Sequence, residues 1–197
     1  MSDRLQNTLA AFDEANRQDP TLEQDEHGNK VPKELLYAQR MSDTLTAFKP
    51  NASETLQLAA RSQHIQRWKK PRDAYPMTRP GYLRWRTELK QFHGEVAATI
   101  MREHGYDNPT VQQVEDLLNK RRLKTDPETQ ALEDVICLVF LRYYFADFVQ
   151  QHSEEKLVSI VRKTWRKMSE DGHAAALQLS FSAEEQRIIE QALRPDS

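Results

Sequence analysis

The chain has 197 residues, with 28 Lys and Arg against 30 Asp and Glu, so its formal net charge is −2. This length suits one domain with a substantial core and is too short for two independent domains. The near-neutral charge argues against a large nucleic-acid footprint but permits a local one. The single cysteine, Cys137 in the apolar run VICLVFL, excludes an internal disulfide and is interpreted as a small buried residue.

Membrane insertion and secretion are not indicated by the sequence. No apolar stretch reaches the roughly 20 residues that a membrane span requires. The first residues, MSDRLQNTLAAFDEA, lack the basic start and the small-residue cleavage site of a signal peptide. We therefore expect a cytoplasmic protein that does not enter a membrane, and the sequence carries no signal for its oligomeric state.

Amphipathic segments and the presence of only five glycines predict an all-α fold, a single-domain bundle of several helices. Residues 1–31 should form an N-terminal helix and an acidic loop that pack on a helical core at 32–180. A C-terminal helix should occupy 181–197. The predicted helices span about 2–17, 32–48, 52–68, 81–104, 108–122, 127–152, 153–169 and from 182 onward.

Several helix boundaries follow from capping signals. Pro32 suits the first turn of a helix, and Asn108 and Asp126 each precede a proline at a first helical position. The segment after Asp126 is the most apolar in the chain and should form the central helix. Ser182 and Glu185 have the spacing of a capping box.

The stretch from Arg61 to Lys90 carries nine Lys and Arg against two acids, a local charge of +7, so the remaining residues together carry −9. This asymmetry favours a localised site for an anion. Three prolines stiffen the middle of the stretch, at positions 71, 76 and 80. The alternative is a solvated face, or an ion-pair network with the acidic remainder.

Two histidines and one aspartate are the candidate metal ligands. His93 lies on the apolar face of its predicted helix, and His64 lies near the C-terminal end of the preceding one. Asp134 is surrounded by apolar residues at helical spacing and therefore needs a partner. Two neutral imidazoles and a carboxylate can bind a divalent metal ion, with Mn, Fe, Zn and Mg as candidates.

The remaining site candidates are acidic and basic residues near these ligands. Glu133, beside Asp134, and Lys124 are the catalytic candidates, and Lys124 would neutralise charge that develops on a phosphoryl group. Basic side chains that would hold a phosphate are Arg61, Arg67, Arg72, Arg79, Lys120 and Lys124. Alternatively, the histidines are hydrogen-bonded core residues and Asp134 is paired with Arg61 or Lys120.

Five motifs, RSQHIQRW, PRDAYP, RPGYLRWR, LKTDPETQALEDVICLVFL and KTWRKMS, resemble a family catalogued as domain of unknown function 4202. The resemblance covers about Pro32 to Leu179 and implies no settled activity.

A weaker resemblance is to the HD-domain metal-dependent phosphohydrolases, helical proteins with a His, a later His-Asp pair and an Asp on a further helix. His64, His93 and Asp134 occupy those places in order. Gly94 stands where the motif has its paired Asp, which puts a two-metal site in doubt. The resemblance then implies an HD-like site with one metal, completed by Glu133 or water, or a degenerate site that only binds its ligand.

Three hypotheses about function follow. The first is a metal-dependent phosphohydrolase that acts on a nucleotide or another small phosphorylated compound. The second is a non-catalytic module that binds RNA or a phosphorylated metabolite through residues 61–90. Its aromatic residues for base stacking would be Trp68, Tyr75, Tyr82 and Trp85. The third is a helical scaffold without a small-molecule site.

Overall fold

The predicted all-α fold class is confirmed by the computed structural model, which describes residues 2–123 and 125–194. The helices are α1 (Asp3–Arg17), α2 (Lys33–Phe48), α3 (Glu54–Ser62), α4 (Arg79–Glu103), α5 (Asn108–Leu118), α6 (Pro127–Val139), α7 (Phe145–Gln151), α8 (Glu154–Trp165), α9 (Glu170–Ala176) and α10 (Ala183–Leu193). Two short strands, β1 (Leu22–Gln24) and β2 (Lys30–Pro32), lie between α1 and α2. Short 3-10 turns follow α3 at Arg67–Lys69 and Arg72–Ala74.

Side-chain caps explain why several helices begin where they do. The hydroxyl of Ser53 accepts a hydrogen bond from the Leu56 amide at the start of α3, and Asp107 caps α5 in the same way. These bonds satisfy amide groups that have no partner within the helix. The predicted capping box of Ser182 and Glu185 is confirmed at α10.

The chain forms two compact units, Met1–Thr129 and Gln130–Ser197. In the first unit, α4 packs along α5, α2 packs on α3, and α1 covers α2 and α3. The apolar side chains buried in this unit include Phe12, Met41, Leu45, Leu56, Leu58, Met101 and Leu118. The division predicted from the sequence, at 31/32 and 180/181, stays a prediction.

The acidic segment before α2 contains a small hairpin where the sequence predicted only a loop. Leu22 pairs with Pro32 in an antiparallel register. Arg40 on α2 forms salt bridges with Glu23 at 3.0 Å and Glu26 at 3.3 Å, and these hold the hairpin against the helix. Strands of three residues carry too little periodicity to be recognised in a sequence.

In the second unit, α8 packs against α10, and α7 contacts both. The helix predicted for 127–152 is helical throughout 127–151, but the π-helical segment Phe140–Tyr144 lies between α6 and α7 and changes its winding there. The ring of Phe140 meets those of Phe145 and Phe148 edge to face, with centroids 6.0 and 5.2 Å away. Helix α9 was not predicted, because its Gly172 suggested a break.

Within the described ranges, no helix is both long enough and apolar enough to cross a membrane. The predicted cytoplasmic location stays a prediction.

Candidate functional site

The sequence predicted that His64 lies on a helix, but α3 ends at Ser62 and His64 lies in the turn that follows. Gln66 has a φ of +52°, a left-handed conformation that a right-handed helix cannot contain. The Gln66 amide donates to Oδ1 of Asn16, 2.9 Å away on α1. A bond from another helix therefore stabilises the turn that ends the predicted helix 52–68, and no glycine or proline marks the position.

The two predicted histidines come together in the first unit. Their ring centroids lie 5.9 Å apart. Tyr37 of α2 stacks on the ring of His64, with the centroids 4.0 Å apart and the planes at 12°. The pair thus draws its side chains from α4 and from the turn after α3, with α2 covering one face.

His93 is a neutral imidazole with a defined tautomer. Its Nδ1 lies 2.7 Å from the Ile65 carbonyl oxygen, which only accepts hydrogen bonds, so Nδ1 carries the hydrogen. The ring is 3% exposed. Burial, followed by the charge interaction with His64, lowers the pKa of His93 well below its usual range. Its Nε2 is therefore a lone-pair acceptor, buried without a hydrogen-bond partner among the described residues.

The two ring nitrogens of His64 contact Arg67 on one side and Glu34 on the other. Nη1 of Arg67 lies 3.2 Å from Nε2, and a guanidinium only donates, so Nε2 accepts. Nδ1 then carries the hydrogen and faces Oε2 of Glu34 at 3.4 Å. The pKa of His64 lies well below its usual range because of burial and then because of nearby cations, namely Arg67, Arg86, Lys120 and Lys33.

Glu34 belongs to this site but was missed by the sequence analysis. Its side chain is 6% exposed, and Oε1 lies 3.9 Å from Nε of Arg67. Burial raises the pKa of Glu34 to about 7, although Arg67 and Lys33 oppose the rise. An acidic residue in the first turn of a helix is ordinary, so nothing in the local pattern around Glu34 indicates that it is buried. We call Glu34, His64, Arg67 and His93 the imidazole centre.

The basic residues divide into those near the imidazole centre and those used elsewhere. Arg67 and Lys120 lie near His64, together with Arg86 and Lys33, which the sequence analysis did not select. Arg86 is half-buried on α4. Positive charge therefore accumulates around two uncharged rings.

Two of the predicted phosphate ligands hold the fold together. Arg61 donates twice to the carboxylate of Asp13, with both distances at 2.7 Å. Arg72 donates to the carbonyl oxygens of Tyr75 and Pro76, each at 3.0 Å, and so fixes the proline-rich connection.

The sequence predicted two further phosphate ligands, Arg79 and Lys124. Arg79 is exposed at the start of α4. Lys124 lies outside the described residues. The assignment of these basic residues as phosphate ligands stays a prediction.

Asp134 and Glu133 belong to the second unit. Oδ1 of Asp134 accepts from the Ser169 amide at 2.8 Å and from Gln130 at 3.1 Å, and Oδ2 accepts from the Ser169 hydroxyl at 2.6 Å. Ser169 caps α9, so Asp134 anchors that cap. Glu133 is buried, 3.8 Å from Nζ of Lys167.

A ready-made metal site is not found in the part of the chain that the structure describes. No group of three or more His, Cys, Asp or Glu side chains is arranged there to hold an ion. The imidazole centre contributes one open ring nitrogen, on His93, and one that accepts from Arg67. The roles of His64, His93 and Asp134 as metal ligands, and of Glu133 as a catalytic group, stay predictions.

The fold and the site together define an all-helical protein with a buried pair of neutral imidazoles in a positive field. The chain belongs to the family described as Domain of unknown function (DUF4202), whose model matches residues 6–189. The family resemblance of its sequence motifs is thereby confirmed. No curated protein matches the chain, and no solved structure matches it. The weaker resemblance to HD-domain phosphohydrolases stays a prediction.

Proposed function

We propose that the imidazole centre binds a small phosphorylated compound. The observation that carries this proposal is that Arg67, Arg86 and Lys33 surround the neutral ring of His64. Among the described residues, the carboxyl group of Glu34 lies against His64 and Arg67. Burial raises the pKa of Glu34 to about 7, so at neutral pH this group cancels only part of the positive charge. A positive field in a partly buried site attracts and holds anions.

The imidazole centre fits a ligand that has both hydrogen-bond acceptors, for Arg67, and a hydrogen-bond donor, for His93. The Arg67 side chain is 27% exposed, and its planar set of donors suits phosphate oxygens. Nε2 of His93 accepts a hydrogen bond, so its partner must donate one. A hydroxyl group or a protonated phosphate oxygen near the anionic group meets both requirements.

RNA is less well supported as the ligand than a small compound. Recognition of unpaired bases relies on exposed aromatic faces. Trp85 is only 7% exposed, and the Tyr75 hydroxyl donates to Glu88 at 2.7 Å. Tyr82, at 45% exposure, is the most accessible of the aromatic candidates in residues 61–90.

The second candidate function is the predicted metal-dependent phosphohydrolase. It is favoured by the orientation of His93, because metal-binding histidines commonly donate from one ring nitrogen to a backbone carbonyl and bind the metal with the other. His64 would have to exchange its hydrogen bond with Arg67 for the metal. A divalent ion bound there would polarise a phosphoryl oxygen.

The binding proposal is tested by calorimetric titration with nucleoside monophosphates and sugar phosphates, each beside its dephosphorylated form, in the presence of a chelator. Binding should require the phosphate. In the variant Arg86→Gln, the dissociation constant should rise about tenfold or more, the effect of losing one charge-assisted contact. Arg84→Gln is the matched control, since Arg84 is on the same helix but is exposed and paired with Glu88 at 2.6 Å.

Equal affinity for phosphorylated and dephosphorylated compounds would refute the proposal, as would equal effects of the two arginine variants. The metal candidate needs a separate measurement. Elemental analysis after incubation with manganese, iron, zinc and magnesium should find about one ion per chain, and little in His93→Ala. No metal in either protein would remove that candidate and leave the binding proposal unaffected.

A further inference from the structure

A single peptide group connects α1 to the imidazole centre. The amide of Gln66 donates to Oδ1 of Asn16 at 2.9 Å. The carbonyl oxygen of the same peptide, which belongs to Ile65, accepts from Nδ1 of His93 at 2.7 Å. A peptide group is planar and trans, so its N–H and C=O point in opposite directions. Asn16 and His93 therefore hold one rigid unit from its two ends.

This peptide group is held in an orientation that the backbone does not favour on its own. Gln66 has a φ of +52°, and a residue other than glycine is strained in that conformation. Such a conformation persists only where the surroundings impose it. The bond from Asn16 is the side-chain contact made by the Gln66 amide, and Ile65 is fully buried beside it.

Asn16 itself has an environment that needs an explanation. It is 0% exposed, and its Nδ2 has no hydrogen-bond partner within the described ranges. A buried amide with unpaired donors is destabilising, and an apolar side chain of the same shape would avoid that cost. The hydrogen bond that Oδ1 accepts from the Gln66 amide is thus the favourable contact that leucine at this position would not make.

We propose that Asn16 is a positioning residue that fixes the tautomer of His93. By holding the Gln66 amide, it directs the Ile65 carbonyl at Nδ1 and keeps the hydrogen there, so that Nε2 stays an acceptor. Hydrogen bonds in such a chain also polarise one another, which strengthens the carbonyl as an acceptor. The tautomer does not depend on any ligand, whereas the effect of Asn16 on ligand affinity rests on the proposed function.

The test is nitrogen NMR of the His93 ring in the full chain without ligand, which distinguishes a protonated ring nitrogen from an unprotonated one. In the parent, the hydrogen should reside on Nδ1. In Asn16→Leu, the ratio of the two tautomers should shift toward the Nε2-protonated form by about fivefold or more, the effect of losing one hydrogen bond. Asn16→Asp keeps an acceptor and should retain the parent tautomer.

Two further variants separate positioning from general loss of stability. Gln66→Gly in the Asn16→Leu background should restore part of the parent ratio, because glycine adopts the left-handed conformation without strain. Thr8→Val alters another fully buried polar residue of α1, whose hydroxyl bonds within the helix to the Arg4 carbonyl at 2.8 Å. This control should leave the tautomer unchanged.

A folded Asn16→Leu protein with the parent tautomer would overturn the proposal, and so would an equal shift in Thr8→Val. A second measurement needs no variant, in case Asn16→Leu does not fold. The Gln66 amide should be strongly protected from hydrogen exchange in the parent protein. Exchange as fast as that of an unprotected loop amide would show that Asn16 does not hold it.

Discussion

Replacement of His93 by glutamine should make the protein less sensitive to acid. The buried ring is neutral in the folded protein, and burial lowers its pKa well below the usual range. In the unfolded chain, the same ring takes up a proton below its ordinary pKa of about 6.5. Unfolding therefore binds a proton at acidic pH, and the free energy of unfolding must fall as the pH falls below that value.

The size of the effect follows from this difference in proton binding. One proton bound only by the unfolded state changes the free energy of unfolding by about 1.4 kcal/mol per pH unit. Between about pH 6.5 and pH 5, His93 should thus cost the parent up to about 2 kcal/mol. Glutamine cannot take up the proton, so this share of the acid sensitivity should vanish.

Urea unfolding at several values between pH 7.5 and pH 5 measures the effect. The His93→Gln protein starts less stable, because it loses the bond to Ile65, but its stability should fall less steeply with acid. Leu89→Ala, one turn earlier on the same helix and equally buried, is the control and should keep the slope of the parent. Parallel curves for the parent and His93→Gln would refute a buried neutral His93.

Three other substitutions test further parts of the account by urea unfolding. Glu34→Gln should gain stability relative to the parent as the pH rises from 5 to 8, on the order of 3 kcal/mol in total. The reason is that burial raises the pKa of Glu34 from 4.5 to about 7. Between these two values the unfolded chain has released the proton while the folded parent still holds it, so the parent loses stability as the pH rises. An unchanged difference across that range would contradict the burial of Glu34. Gly81→Ala should cost about 2 kcal/mol or more, because a Cβ atom there would clash with the Pro76 carbonyl oxygen. An unchanged free energy of unfolding would show that the backbone at Pro76 moves to make room for the Cβ atom. Asp134→Ala should cost about 3 kcal/mol by removing the acceptor of both Ser169 bonds, with partial recovery in Asp134→Asn; equal stability would argue against the anchoring role at α9.

The helical architecture was predictable because each signal for it is local. Caps such as Ser182 with Glu185, and prolines after Asn108 and Asp126, mark helix starts within a few residues. The π-helical segment Phe140–Tyr144 and the end of α3 at Ser62 have no such signal in the sequence. At α3, the decisive bond comes from Asn16, some 50 residues earlier in the chain.

The candidate site was predictable in part for the same reason. His93 on an apolar helical face, and Arg67 in a basic stretch, are visible in the sequence, and both lie at the imidazole centre. The burial of Glu34, and the pairing of Arg61 with Asp13, depend on which helices pack together. Sequence spacing alone does not determine those contacts.

Phosphate binding at the imidazole centre is tested directly by an NMR titration of the histidine rings with a phosphorylated compound, with a chelator present. The ring signals of His64 and His93 should shift together and saturate, while the dephosphorylated compound leaves them in place. The ring of His173, stacked on Trp165 in the second unit, is the internal reference and should not move. Shifts at His173 alone, or no shifts with any phosphorylated compound, would contradict a phosphate-binding imidazole centre.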